Sequence, residues 1–244
     1  MEELHPSHQG YFYFEEDHFS SLPPHITHLL IDGGCKAKIK NIPASVTHMR
    51  FVNDFNKKVK LSSGVVHLVF GNDYNQPTII PPSVKYLVFG YMYNYPIDLP
   101  ETLASVKFGH CYNHPLVLPP NVETVQFGGD FNHPIVLPDG IIDVAFGYSY
   151  NQPTKFPKSI QHIVLGRSYY QDTIFPDHIK TLKCEYFKPQ WMPQLFNNFF
   201  LTTLVVKFIT TEYSYLCHDR LMVHVSINKH NNSMKHMTLF NGAA

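Results

Sequence analysis

The sequence predicts an all-β fold, a right-handed parallel β-solenoid of about nine to ten coils of 19 residues, followed by a C-terminal cap. Three observations support this prediction: a fixed period, one strand-like segment in each period, and a glycine that ends it. Counted from Phe51, the same slot recurs every nineteen residues, and one inserted residue separates Ile31 from Phe51. A period held this long indicates one structural unit stacked on copies of itself. The slot is filled by Phe12, Ile31, Phe51, Phe70, Phe89, Phe108, Phe127, Phe146, Leu165 and Cys184.

The end of each unit predicts a short strand. The unit reads FGxxYNxPIxLPxSVxxLx, and its last positions alternate with the Phe of the next unit. This alternation places Leu87 and Phe89 in the interior. Their neighbours Tyr86 and Val88 therefore point outward.

The residues after the strand predict a tight turn. Glycine follows the Phe slot in six consecutive units, which indicates a sharp corner or a positive φ. An aromatic residue four positions after the slot is expected to fill the interior behind that corner, and an asparagine follows it. Stacked asparagines are expected to satisfy the backbone of a turn that has no strand ladder. Because these positions recur regardless of their surroundings, we interpret both columns as structural.

The second half of the unit predicts a second wall of the core. Ile135 and Leu137 represent an IxL pair that lines this wall, and Pro134 and Pro138 flank it because proline cannot donate to a ladder. Burial in one coil yields on the order of 10 kcal/mol, whereas ordering each of its backbone units costs roughly 1 to 2 kcal/mol. A single coil is thus expected to be unfolded, and only stacking stabilises it.

Three copies read FGNDYNQPTIIPPSVKYLVFG, FGHCYNHPLVLPPNVETVQFG and FGGDFNHPIVLPDGIIDVAFG. With FG, then YN or FN, then a proline with I or L, and later LPxSL, the sequence resembles the FNIP-repeat family over about residues 12–184. The resemblance implies a relative of leucine-rich repeats, since VxxLxFxxxxN is similar to their LxxLxLxxN signature. The ends depart from the pattern: Ile31 is followed by Asp32, and Tyr170 replaces the asparagine.

The resemblance also implies a setting. FNIP repeats occur in amoebal and giant-viral proteins, sometimes after an F-box, which implies selection of targets for ubiquitination. Only about eight residues precede the first coil, so this role is expected to need a separate adaptor protein.

Composition narrows the class of protein. The 244 residues include 19 basic and 19 acidic ones, so the basic surface expected of a nucleic-acid-binding protein is absent. The four cysteines are far apart, which favours unpaired thiols in a reducing compartment. The N-terminus does not resemble a signal peptide, and no apolar run reaches membrane-spanning length. We expect a cytoplasmic protein, in the host cytoplasm if the source is viral, without a membrane or nucleic-acid partner.

The chain is predicted to have three parts. Residues 1–8 form an arm, residues 9–184 the solenoid, and residues 185–244 a cap; a separate mini-domain is the alternative for the last part. The cap is expected to close the last coil with Trp191, Phe196, Phe199 and Phe200. The short arm leaves the first coil exposed, so weak self-association through that end is expected.

Two columns of outward side chains vary from coil to coil. The first outward column lies three residues before the Phe slot, and comprises His28, His48, His67, Tyr86, Ser105, Thr124, Asp143, His162 and Thr181. The second outward column lies one residue before it, and comprises Leu30, Arg50, Val69, Val88, Lys107, Gln126, Ala145, Val164 and Lys183. The predicted partner-binding strip consists of His28, His48, His67, Tyr86, Val88, Ser105, Lys107, Thr124, Gln126, Asp143, His162 and Lys183.

Catalytic and metal-binding arrangements are weak in this sequence. Stacked histidines could share a metal, as could the turn from His110 to His114 with His133, but polar strand and turn positions explain both better. Asp143 lies beside His162, yet Ser105 is two coils away from Asp143. No cofactor is expected.

The leading hypothesis is a non-enzymatic module that binds a protein through the exposed strand face. Target recognition in a ubiquitin-ligase assembly is the alternative implied by the resemblance. A carbohydrate-active β-solenoid enzyme is the third, and it predicts clustered carboxylates that the two outward columns lack.

Overall fold

The structure is a computed structural model that describes residues 12–14, 22–32, 42–196, 200–208, 221–222 and 240–241. In this part of the chain, one parallel sheet holds eleven strands in chain order. They are β1 (Phe12–Phe14), β2 (His28–Ile31), β3 (His48–Phe51), β4 (His67–Val69), β5 (Tyr86–Val88), β6 (Ser105–Lys107), β7 (Thr124–Gln126), β8 (Asp143–Ala145), β9 (His162–Leu165), β10 (Thr181–Tyr186) and β11 (Thr203–Phe208).

Little else in the described chain is regular. A 3-10 turn (Pro189–Trp191) and helix α1 (Met192–Phe196) separate β10 from β11. Strands β12 (Leu221–Met222) and β13 (Phe240–Asn241) form an antiparallel pair.

The register of the sheet confirms the predicted stack. Strands β5 and β6 pair in parallel, with Leu87 opposite Val106 and Val88 opposite Lys107, so the paired residues are one repeat apart. Each strand neighbours only the preceding and following strands, which makes the molecule a parallel β-solenoid.

Aromatic columns fill the core as predicted. The rings of Phe70, Phe89 and Phe108 stack along the axis with centroids 5.2 and 5.6 Å apart. A second column holds the aromatic residues of the turn, where Tyr93 and Tyr112 lie 6.2 Å apart and are fully buried. The six coils whose slot residues run from Phe51 to Phe146 therefore each contribute two rings to a continuous aromatic interior.

The glycines that follow the Phe slot form a glycine column, and its cause is not the positive φ that was one of the two predictions. None of these glycines has a left-handed backbone, so the positive-φ alternative is wrong. A Cβ on Gly109 would lie 1.7 Å from the backbone oxygen of Gly90, and Gly90, Gly128 and Gly147 are equally crowded by the preceding coil. Glycine is needed here because successive coils approach with no room for a side chain.

The asparagine column forms the predicted ladder. Oδ1 of Asn94 accepts a hydrogen bond from the backbone N–H of Asn113 at 3.1 Å, and Oδ1 of Asn113 accepts from Asn132 at 3.1 Å. The ladder ends where the N–H of Tyr170 donates to Asn151 at 2.9 Å, because tyrosine has no amide with which to continue it.

Two core tyrosines have no hydrogen-bond partner among the described residues. The hydroxyl groups of Tyr74 and Tyr150 bond to Thr78 and Thr154, four residues later, at 2.5 Å. The unit around Tyr93 has Ile97 at the corresponding position, so the buried hydroxyl of Tyr93 is without a partner in the described chain, as is that of Tyr112. Burial, which disfavours the phenolate, raises the pKa of both tyrosines.

We expect Tyr93→Phe and Tyr112→Phe each to raise the free energy of unfolding by about 1 kcal/mol, because each removes an unsatisfied buried hydroxyl. Tyr74→Phe serves as the matched control and is expected to lower it by about 1 kcal/mol, since it removes a formed hydrogen bond. Urea denaturation measures all three. Destabilisation by Tyr93→Phe would show that the hydroxyl is satisfied.

The segment after β10 packs on the end of the stack. Strand β11 pairs with β10 and places Leu204 opposite Leu182. Trp191 is fully buried, and its ring meets that of Phe175 edge-on with centroids 5.3 Å apart. The expectation for Phe200 is wrong, because this side chain is 60% exposed.

Several predicted features lie outside the residues that the structure describes. These are residues 1–8, Phe199, the side chain of Phe196 and most of residues 209–244. Closure of the stack by residues 185–244 therefore stays a prediction.

Candidate functional site

The first outward column begins as a stack of rings. The strand register brings His28, His48, His67 and Tyr86 side by side across four strands. Their ring centroids are separated by 4.2, 4.2 and 4.4 Å, with planes within 10° of parallel. The result is an aromatic ridge on the exposed face of β2–β5.

The environment of this ridge lowers the pKa of two of its imidazoles. Burial, followed by the charges that His67 and His28 would carry, lowers the pKa of His48, and burial followed by His28 lowers that of His67. Parallel rings also direct their nitrogens along parallel lines, which do not converge on one point. No group of three or more His, Cys, Asp or Glu side chains in the described chain is placed to hold a metal ion.

The rest of the first outward column is polar. The hydroxyl of Thr124 donates to that of Ser105 at 2.6 Å, and His162 Nε2 lies 4.0 Å from a carboxylate oxygen of Asp143. Ser105 and Asp143 lie two strands apart, at about 10 Å by the spacing of strands. Ser105 is therefore not brought together with Asp143 and His162.

The second outward column borders a groove that sequence reasoning missed. The groove has a volume of about 480 Å³ and runs along the stack axis. Its walls are this column and the turn residues two positions after the Phe slot, and the glycine column is its floor. The lining side chains that project into it are those of Arg50, Asn53, Val69, Asn72, Val88, Tyr91, Lys107, His110 and Gln126.

Stacked groups also form the turn wall of the groove. The rings of Tyr91 and His110 lie 4.8 Å apart and 4° from parallel. Gly129 continues this wall, and a Cβ there would lie 2.2 Å from the imidazole of His110. His110 Nε2 lies 3.4 Å from a carboxylate oxygen of Asp130. Ring stacking and the contact between His110 and Asp130 therefore hold the side chains of the turn wall in place.

The histidines in the second predicted metal candidate serve the turn instead. His114 Nε2 lies 3.1 Å from the backbone oxygen of Asn94, and His133 Nε2 lies 3.2 Å from that of Asn113. Gln76 and Gln152 make the equivalent contact in other coils. These imidazoles therefore replace glutamine amides in a repeated turn contact.

Sequence reasoning also missed a set of exposed aliphatic residues on the second wall. Four aliphatic side chains at the middle position of the IxL pair are 84 to 91% exposed. They are Ile79, Val117, Val136 and Ile174. The signal was present in the repeat itself, because the residue between two buried neighbours must point outward.

Exposed aromatic groups concentrate in one coil. Tyr86, Tyr91, Met92 and Tyr95 are all at least 36% exposed and lie within ten residues. Tyrosine and methionine are enriched at the centres of protein interfaces. This coil lies where the aromatic ridge meets the groove.

No helix in the described ranges is long and apolar enough to span a membrane.

Comparison with known proteins agrees with this architecture. A family model, FNIP Repeat, matches residues 74–111 and 112–149. A solved structure, CroV588, described as a novel circular LRR protein, superposes with a TM-score of 0.60 at 27% sequence identity. The match covers 76% of this chain, which spans only 34% of the length of that one. No curated protein sequence matches the chain significantly. Residues 74–149 therefore match the FNIP Repeat model, and the parallel solenoid is similar to that of a leucine-rich-repeat protein.

Proposed function

We propose that this chain is a non-enzymatic module that binds a protein partner through the exposed strand face of the solenoid. The observation that supports this most is the contrast between the two sides of one sheet. The inward positions repeat the same aromatic and aliphatic residues, whereas the outward positions change along the stack from histidine and tyrosine to hydroxyl, carboxylate and cationic side chains. Repeat solenoids of this kind typically serve as interaction modules.

The outward face also has the chemistry of an interface. The aromatic ridge, the aliphatic residues Val69 and Val88, and the cations Arg50 and Lys107 occupy adjacent coils. Interface centres favour aromatic and arginine side chains over acidic ones. At about 4.8 Å per strand, the nine coils from β2 to β10 present a face nearly 40 Å long, which is large enough for a standard protein interface.

The triple variant His67→Ala, Tyr86→Ala, Thr124→Ala tests this proposal. All three side chains lie in the first outward column, and their removal is expected to abolish capture of the partner while the fold is retained. Affinity capture from the cell of origin with quantitative mass spectrometry measures the loss, and circular dichroism checks the fold.

A matched triple on the second wall, Ile79→Ala, Val117→Ala, Val136→Ala, serves as the control and is expected to retain the partner. Loss of the partner with the second-wall variant alone would place the interface on the opposite wall and refute the proposal.

A further inference from the structure

The charged side chains that line the groove beside the second outward column all have the same sign. These side chains are the basic residues Arg50 and Lys107, and no carboxylate lines the groove. Both side chains are exposed, and neither forms an ion pair within the described ranges. Asp130 lies outside the lining and pairs with His110. The groove therefore presents positive charge, although the chain as a whole has a formal net charge of zero.

The two cations lie at opposite ends of an apolar centre. Arg50, Val69, Val88 and Lys107 are consecutive members of one column, paired strand to strand. Three strand spacings of about 4.8 Å separate Arg50 from Lys107 by roughly 14 Å. Val88 is partly exposed between them, and Tyr91, which is 50% exposed, faces it from the turn wall.

We propose that this groove binds an extended acidic segment of the partner protein, laid along the stack axis, with two carboxylates about four residues apart and an apolar side chain between them. An extended chain rises about 3.3 Å per residue, so four residues span roughly 13 Å and match the separation of Arg50 from Lys107. The apolar side chain lies on Val88 and Tyr91. The inference rests on the proposed function and names the chemistry of the partner.

The floor of the groove suits an extended main chain. The backbone of Gly71, Gly90, Gly109 and Gly128 lines this floor, so a ligand main chain there meets backbone and not side chains. The rings of Tyr91 and His110 are stacked 4.8 Å apart and hold each other in place. Binding therefore costs less side-chain entropy at these two residues.

Nucleic acid fits this groove less well. Consecutive phosphates on one strand are much closer together than 14 Å, so a nucleic-acid site requires a continuous row of cations. Here Val69 and Val88 occupy the positions between the two basic residues. The spacing therefore favours a peptide with separated carboxylates.

Peptide display tests the inference. Random peptides displayed on phage are selected against the immobilised full-length chain at low ionic strength, and the selected sequences are synthesised with a fluorescein label. We expect acidic peptides with carboxylates three to five residues apart around an apolar residue. Fluorescence anisotropy should show binding that weakens as salt is added and that falls about tenfold or more for the Arg50→Glu, Lys107→Glu variant.

The Lys60→Glu, Lys155→Glu variant is the matched control. It changes the net charge by the same amount, but both lysines are exposed on the second wall, so peptide affinity is expected to stay unchanged. Selected peptides without an acidic preference, equal losses in the two charge variants, or tighter binding of a labelled single-stranded oligonucleotide that depends on Arg50 and Lys107 would each overturn the inference.

Capture of the native partner separates this inference from the proposed function. Retention of the partner by the Arg50→Glu, Lys107→Glu variant, with loss by the His67, Tyr86 and Thr124 triple, refutes the acidic segment but leaves the strand-face interface intact. Retention by both variants refutes both.

Discussion

Gly109→Ala is expected to be strongly destabilising, with a loss of about 3 kcal/mol or more in the free energy of unfolding. The added Cβ would lie 1.7 Å from the oxygen and 2.4 Å from the carbon of the Gly90 carbonyl. Both are backbone atoms, so no side-chain rotation relieves the overlap, and the two coils must separate. Separation breaks the register between β5 and β6 in the middle of the sheet.

Gly140→Ala is the control for this prediction. A Cβ at Gly140 meets only the oxygen of Pro120 at 3.7 Å, an ordinary contact. Replacing glycine by alanine there is expected to change the stability by less than about 1 kcal/mol. Urea denaturation of both variants gives the comparison. Equal stabilities would show that the coils can shift apart without cost, against the close stacking described above.

Trp191→Ala is expected to cost about 3 to 5 kcal/mol, the range for truncating a large buried aromatic side chain. The ring of Trp191 packs against Phe175, Phe187 and Tyr169 at the end of the stack. In a solenoid each coil is stabilised mainly by its neighbours, so the loss should spread inward from this end. Hydrogen exchange is expected to show lower protection in β9 and β10 than in β4 to β6.

Trp191→Phe refines this test. The buried Nε1 of Trp191 has no hydrogen-bond partner in the described chain, so phenylalanine keeps much of the packing and removes an unsatisfied donor. Its cost is expected to be clearly smaller than that of alanine. If Trp191→Ala leaves the protection of β9 and β10 unchanged, residues 185–244 form a separate unit and not a cap.

The fold was predictable because the repeat constrains each position many times. Phe70, Phe89 and Phe108 occupy the same slot at a constant interval, and one slot in a stack has one environment. The same logic identified the asparagine ladder, in which the side-chain oxygen of one asparagine accepts from the backbone N–H of the next coil. Where the period ends, this logic fails, and the prediction for Phe200 was wrong.

The candidate surface was only half predictable. Alternation along the strand placed Tyr86 and Lys107 outside, and stacking placed His48 beside His67. The parallel orientation of the imidazoles did not follow, because a pattern of residue types contains no information on side-chain torsion angles. In that orientation the three rings lie in nearly parallel planes and do not face a common point.

The order of residues alone determined which side chains share a column, since a constant period and the two-residue alternation of a strand assign each position to a wall and a side. Only the tertiary structure shows the groove between the second outward column and the turn wall. The groove lies over Gly90 and Gly109, between Val88 on one side and Tyr91 on the other. Such distances depend on how the chain turns between strands, and that turn results from packing between coils and not from any one coil.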